Sequence, residues 1–218
     1  MSAVPTERIV EALVADAWPV RTLASPLVRA AAVVTTLLLF VGVAVAARGD
    51  VGQLLLRYAG REDVLAWEMT SMLTTGVLAV TAAFFLSVPG RSRLWLLLPL
   101  PPFSAWLLLS GFGCYQQLLR PGPSGWELGE SFHCLLFIVG TSILIGGPVA
   151  WRLSQARPIN PLPVAVAAGL GTAALAAFLL QFFHPFAVTL LDLALHLTGI
   201  LLVIGGAALL KHRALRPA

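Results

Sequence analysis

Six apolar runs, each close to the length of a membrane-crossing helix, leave this chain of 218 residues little choice of fold. They extend from Val28 to Ala47, Val64 to Val88, Leu94 to Leu118, Phe132 to Trp151, Leu162 to Phe183 and Ala187 to Leu210. A helix needs about 20 residues to cross the hydrocarbon core of a bilayer. Within that core every backbone N–H and C=O must find a partner inside the protein, which helices achieve by themselves. Composition agrees, with 58% hydrophobic and 11% charged residues, where a soluble domain carries about 25% charged. The sequence therefore predicts an all-α polytopic membrane protein with six transmembrane helices. The links are short, so the spans should form a compact bundle of antiparallel neighbours. A division into residues 1–27, 28–210 and 211–218 follows: a polar leading segment, the membrane domain and a short basic tail.

Two of the runs have a distinctive interior. The third contains Pro99, Pro101 and Pro102; proline removes a backbone donor and clashes with the preceding turn, so this helix should be broken or kinked. The fifth reads AVAAGLGTAALAA, and small residues of this kind let helix backbones approach closely. Its Gly169-x-Gly171 is no dinucleotide-binding fingerprint, because no strand precedes it.

The leading segment is polar and mixed in charge. Glu7 follows Thr6, a favourable start for a helix. Ile9, Val10, Leu13 and Val14 then recur at helical spacing, with Glu7, Arg8, Glu11 and Asp16 on the other side and Pro19 as a stop. Such a short amphipathic helix either lies on the membrane or the protein itself, or docks a soluble partner through its apolar stripe. A secretory signal has an apolar stretch of roughly 7–15 residues. The first run here is longer, and despite an Ala-Val-Ala stretch ending at Ala46 it is read as a retained helix.

Orientation follows from the basic residues. Of the 14 Lys and Arg, Arg48, Arg57, Arg61 and Arg120 fall in one set of loops and the other ten in the opposite set. Positive charge accumulates in cytoplasmic loops, which places both termini in the cytoplasm. The net charge of +4 is spread over loops rather than gathered into a patch, so direct nucleic-acid binding is not expected.

On that topology the ligand-type side chains collect toward the outer face. Cys114 ends the third span, His133 and Cys134 begin the fourth, and His184 closes the fifth. Asp192 and His196 lie four residues apart on one face of the sixth, and Glu68, Met69 and Met72 lie in the first turns of the second. A carboxylate inside a span is costly unless paired, protonated or facing a polar cavity. Each of these residues has an ordinary role to set against a site: packing for the cysteines and methionines, water or a carbonyl for the histidines, headgroups for Glu68. Taken jointly, Cys114, Cys134, His133, His184 and His196 form a candidate metal-ligand set, with Asp192 and Met72 as further candidates. Thiolates with imidazole suit Cu(I) or Zn²⁺. The two cysteines, the only ones in the chain, are equally compatible with a disulfide in an oxidising periplasm. No H-E-x-x-H, C-x-x-C or G-x-S-x-G signature is present, so no enzyme and no obligatory cofactor is expected.

Several stretches carry a family resemblance: LSVPGRSRLWLLLPLPP from Leu86 to Pro102, GFGC ending at Cys114, HCLLFI from His133 to Ile138, FHP from Phe183 to Pro185, and ADAWPVRTLASP from Ala15 to Pro26. Together they resemble the NrsF-type membrane anti-sigma factors, the negative regulators of sigma F. The resemblance implies a six-helix inner-membrane protein that holds an extracytoplasmic-function sigma factor in the cytoplasm. It also implies a link to heavy-metal or oxidative stress through paired cysteines, here Cys114 and Cys134. The expectation is an anti-sigma factor whose Ile9, Val10, Leu13 and Val14 hold the partner, with a soft metal ion (Cu or Zn) or an oxidant as the signal. A small metal transporter and a membrane thiol oxidoreductase are the alternatives. The first lacks a polar path through the membrane, and the second lacks a C-x-x-C pair.

Overall fold

The most buried helix, Pro161–Leu180, is the one built from small residues, and the other spans are arranged around it. In its most apolar stretch 78% of the residues are buried, against 17% in the first span. The computed structural model describes residues 6–16, 22–59, 62–118, 128–183 and 190–214. They form helices α1 (Thr6–Ala15), α2 (Pro26–Arg48), α3 (Val51–Ala59), α4 (Glu62–Leu86), α5 (Leu100–Leu118), α6 (Leu128–Ser154), α7 (Pro161–Leu180) and α8 (Leu190–Ala214). A 3-10 turn, Arg93–Leu97, precedes α5. Six helices are long and apolar enough to span a membrane, in the six places expected from sequence, and no strand occurs among the described residues.

The packing of α7 explains its composition. A Cβ on Gly171 would lie 2.8 Å from Val80 Cγ2 and 2.9 Å from the Val80 backbone nitrogen, and one on Gly76 would lie 2.6 Å from Leu175 Cγ. So α4 and α7 run antiparallel with their backbones in near contact. On another face, a Cβ on Gly169 would come within 3.0 Å of Ile204 Cα in α8. Without a hydrophobic drive between helices in lipid, this close approach supplies the van der Waals contact that holds them together. α6 packs on both α7 and α8, α5 on α4 and α8, and α2 chiefly on α4.

Helix ends are set locally. Ser25 caps α2, its Oγ accepting from the Val28 N–H at 3.4 Å, with Pro26 at the first helical position, where a missing N–H costs nothing. The proline-rich third span is broken as expected, but at one point only. The 3-10 turn ends at Leu97, and α5 starts afresh at Leu100 with Pro101 and Pro102 in its first turn. An unexpected proline, Pro148, lies inside α6 on an exposed face.

The link after the first span also holds a helix not expected from sequence, α3. Asp50 starts it, its Oδ1 accepting from the Gln53 N–H at 2.9 Å, while the Asp50 N–H donates to the Phe182 carbonyl at 2.9 Å. That bond ties α3 to the end of α7. At the opposite end of the bundle, Arg29 Nη2 donates to the Arg152 carbonyl at 2.7 Å and its guanidinium lies 5.2 Å from the centre of the Phe84 ring. The bundle therefore has a basic end, with Arg29, Arg91, Arg93, Arg152 and Arg157, and a thiol end, with α3, Cys114 and Cys134.

Replacing Gly171 by Leu should force α4 and α7 apart at a cost of about 1–3 kcal/mol. Thermal melting of the detergent-solubilised protein checks this. Gly140→Ala, where nothing lies within 4 Å of an added Cβ, should melt like the parent.

Candidate functional site

The thiol half of the bundle has its own core. Cys114 of α5 and Cys134 of α6 are both buried in it, together with Met72, Trp106, Ile138, Leu180, Leu193 and Ile200. α4, α5, α6, α7 and α8 each contribute, so the two cysteines lie where most of the bundle meets. Each carries a thiol rather than half of a disulfide.

Polar side chains surround this core in unusual number. Glu68, Ser71 and Thr75 on α4, Ser110 on α5, Gln181 at the end of α7, and Asp192 and His196 on α8 are all buried. Glu68 therefore turns inward, not toward the headgroups. The Thr75 hydroxyl donates to the Ser71 carbonyl at 2.7 Å, and Gln181 Nε2 donates to the Met72 sulfur at 3.9 Å. His196 Nδ1 meets the Asp192 carbonyl one turn earlier. A neutral ring donating from Nδ1 carries its lone pair on Nε2. Two further buried atoms, Trp106 Nε1 and Ser142 Oγ, meet no hydrogen-bond partner among the described residues. A buried donor without an acceptor costs about 1–3 kcal/mol, so this half of the bundle is not optimised as a plain apolar core.

The structure thus brings together some of the sequence-predicted ligands and separates others. Cys114, Cys134 and Met72 share one cluster, and Asp192 and His196 flank its α8 members Leu193 and Leu197. His133 is exposed although its neighbour Cys134 is buried. Successive residues on a helix point about 100° apart, and here that turn carries His133 to an uncovered side of α6. His184 lies outside the described residues. Among the described residues no three His, Cys, Asp or Glu side chains are grouped as a metal ion would require. Cys114 and Cys134 are two buried, soft sulfur donors in one cluster with the Met72 thioether.

The α1 stripe is exposed along its length. Ile9, Val10, Leu13 and Val14 are 48, 52, 67 and 68% exposed, and no residue of α1 is buried. Among the described residues nothing buries this apolar face. A missed feature is the burial of Gln181, Ser110 and Glu68 around the thiols; the only signal for it in sequence is that each is a polar residue in or beside an apolar run.

Buried thiols react slowly with bulky reagents. A maleimide polymer should label Cys114 and Cys134 in the SDS-denatured chain but not in the detergent-solubilised native protein, as a gel shift reads directly.

No curated protein and no solved structure matches this chain. A family model does: that of the negative regulators of sigma F, NrsF, matches residues 13–216, which includes all six spans and both cysteines. The match takes in Leu13 and Val14 of the α1 stripe and leaves Ile9 and Val10 just before it. With nearly its whole length matched, the chain belongs to the family of negative regulators of sigma F.

Proposed function

We propose that this protein is an inner-membrane anti-sigma factor that holds an extracytoplasmic-function sigma factor at the cytoplasmic face and releases it when the thiol half of the bundle is perturbed. The observation that carries this reading is the exposed stripe of α1, Ile9, Val10, Leu13 and Val14. An amphipathic helix whose apolar face is left exposed is suited to lie in a groove on a partner. Family membership supplies the kind of partner, a sigma factor. The excess of basic residues at the end where α2 begins supports a cytoplasmic position for α1.

Release starts at Cys114 and Cys134. Both sit among side chains from five helices, so any change in their bonding must repack α5 and α6 against α4 and α8. A disulfide would form with loss of two thiol protons and of two electrons to an external oxidant. A soft metal ion such as Cu(I) would act instead by drawing both thiolates and a third donor, Met72 or His196, into one coordination sphere. Either signal must favour the releasing state by about 5.5 kcal/mol to switch the partner from mostly bound to mostly free. A covalent bond or thiolate coordination provides energy on that scale.

Two variants separate holding from release. Leu13→Asp with Val14→Asp should abolish co-purification of the sigma factor with the detergent-solubilised chain while leaving the thermal melt unchanged. Cys114→Ser with Cys134→Ser should co-purify the partner as the parent does but no longer release it on treatment with copper or a thiol oxidant. Normal release from the double serine variant contradicts the thiol trigger. Release by oxidant and not by copper selects the disulfide.

A further inference from the structure

The run from Leu86 to Pro102, which carries the family resemblance most strongly, is used by neither the α1 stripe nor the thiol core. In the structure it builds two adjoining hollows at the basic end. The first is a pocket of about 180 Å³ formed by the turn after α4, with Ser87, Arg91 and Arg93, and by the loop before α7, with Ile159 and Asn160. Gly90 shapes the turn at φ 79°, a conformation that favours glycine. Among the described residues no acidic side chain lines the pocket. The second is an open apolar groove of about 570 Å³ along the 3-10 turn, lined by Leu94, Trp95, Leu97, Leu98 and Pro101. It exists because a 3-10 turn is slimmer than an α-helix and the proline break prevents α5 from filling the space.

An aromatic stack joins the two hollows. The Arg91 guanidinium lies 5.7 Å from the centre of the Phe85 ring, and Phe85 stacks on Trp95 with centroids 4.0 Å apart and planes 15° from parallel. Arg91 is thereby held at the pocket, and Trp95 opens onto the groove. Ile159, Leu94 and Leu97, beside the arginines, are exposed at 81, 70 and 54%. Two cations next to an exposed apolar track, at the end of membrane-spanning helices, match one chemistry: a phosphodiester joined to hydrocarbon.

We infer that this is a binding site for an anionic phospholipid, with the phosphate between Arg91 and Arg93 and an acyl chain along Leu94, Trp95 and Leu97. Arginine suits the first part because its planar fork of donors matches phosphate oxygens. Proximity to a negative headgroup is worth about 1 kcal/mol for each basic residue near the surface, which over two arginines amounts to a preference of roughly tenfold or more. The groove distinguishes this site from general attraction to a charged surface, because it requires the lipid to leave the bulk bilayer and lie against the protein. The inference stands apart from the anti-sigma reading, since it depends neither on α1 nor on the cysteines.

The test is native mass spectrometry of the full chain in detergent, titrated separately with phosphatidylglycerol and phosphatidylcholine. The wild-type protein should retain phosphatidylglycerol in preference to phosphatidylcholine. Arg91→Gln with Arg93→Gln should lower that retention roughly tenfold, to the level of the zwitterionic lipid. Arg48→Gln, at the other end of the bundle, should leave it unchanged. Leu97→Ser, a neutral change at an exposed position, should also lower retention with both arginines intact. Equal retention of the two lipids by the wild type overturns the site, as does an Arg48→Gln variant that loses as much as the double variant. Displacement of bound lipid by soluble glycerophosphoglycerol contradicts the groove's part in it. Unchanged lipid retention with loss of sigma-factor co-purification in the double variant assigns the arginines to the protein partner and overturns the proposal.

Discussion

The contact on which the rest of the bundle depends is the one between Gly76 of α4 and Gly171 of α7. There, an added Cβ on either would collide with the neighbouring helix. In a bilayer the lipid tails are as apolar as any side chain, so helices do not associate merely to escape water. They associate where close packing and satisfied polar groups make protein contacts better than lipid contacts. The small residues of α7 provide this on two faces, toward α4 through Gly171 and toward α8 through Gly169. With α7 fixed in the centre, α6 and α8 close one side and α5 comes in against α4 and α8. This arrangement brings Cys114, Cys134 and Met72 into one cluster.

The same arrangement divides the molecule into two halves with different chemistry. Toward the basic end the core is aliphatic and aromatic, built from Val33, Phe84, Val149, Leu153 and Val164. Toward the thiol end it takes in buried hydroxyls, amides, carboxylates, an imidazole and both cysteines. Polar groups in a low-dielectric interior are worth much when satisfied and costly when not. The thiol half therefore carries most of the buried polar chemistry of the bundle, and the basic half holds a mainly aliphatic and aromatic core. That asymmetry fits a device in which a chemical event at one end changes what is presented at the other, across the ~30 Å of the hydrocarbon core. The helices that cross between the two halves, α4, α7 and α8, are in close contact at Gly76, Gly169 and Gly171.

How much of this could be read in advance depended on the length of the signal. Spans of about 20 apolar residues are hard to mistake, and the small-residue run of α7 announced its own packing. The proline cluster at Pro99 to Pro102 predicted a break and left its position open, because prolines in a first helical turn are harmless and sequence alone does not say where that turn begins. α3 was missed although Val51, Leu54 and Leu55 recur at helical spacing after a capping Asp50. Nine residues between two long spans look like a link unless the cap is noticed. Pro148 was passed over because α6 continues through it. The inward turn of Glu68 and the outward turn of His133 were not legible at all: each depends on which face of a long, nearly uniformly apolar helix is covered by a neighbour. Where apolar residues surround a helix on every side, periodicity no longer marks the buried face.

The account rests on opposition: a docking helix inside the cell and a thiol-bearing half directed outward. Single cysteines placed at Glu11 in α1 and at Gln53 in α3, in a chain with Cys114 and Cys134 replaced by serine, measure it directly. A membrane-impermeant maleimide applied to intact cells should label the α3 position and leave the α1 position unmodified until the membrane is opened. Labelling of the α1 position from outside, with protection of α3, would contradict the account.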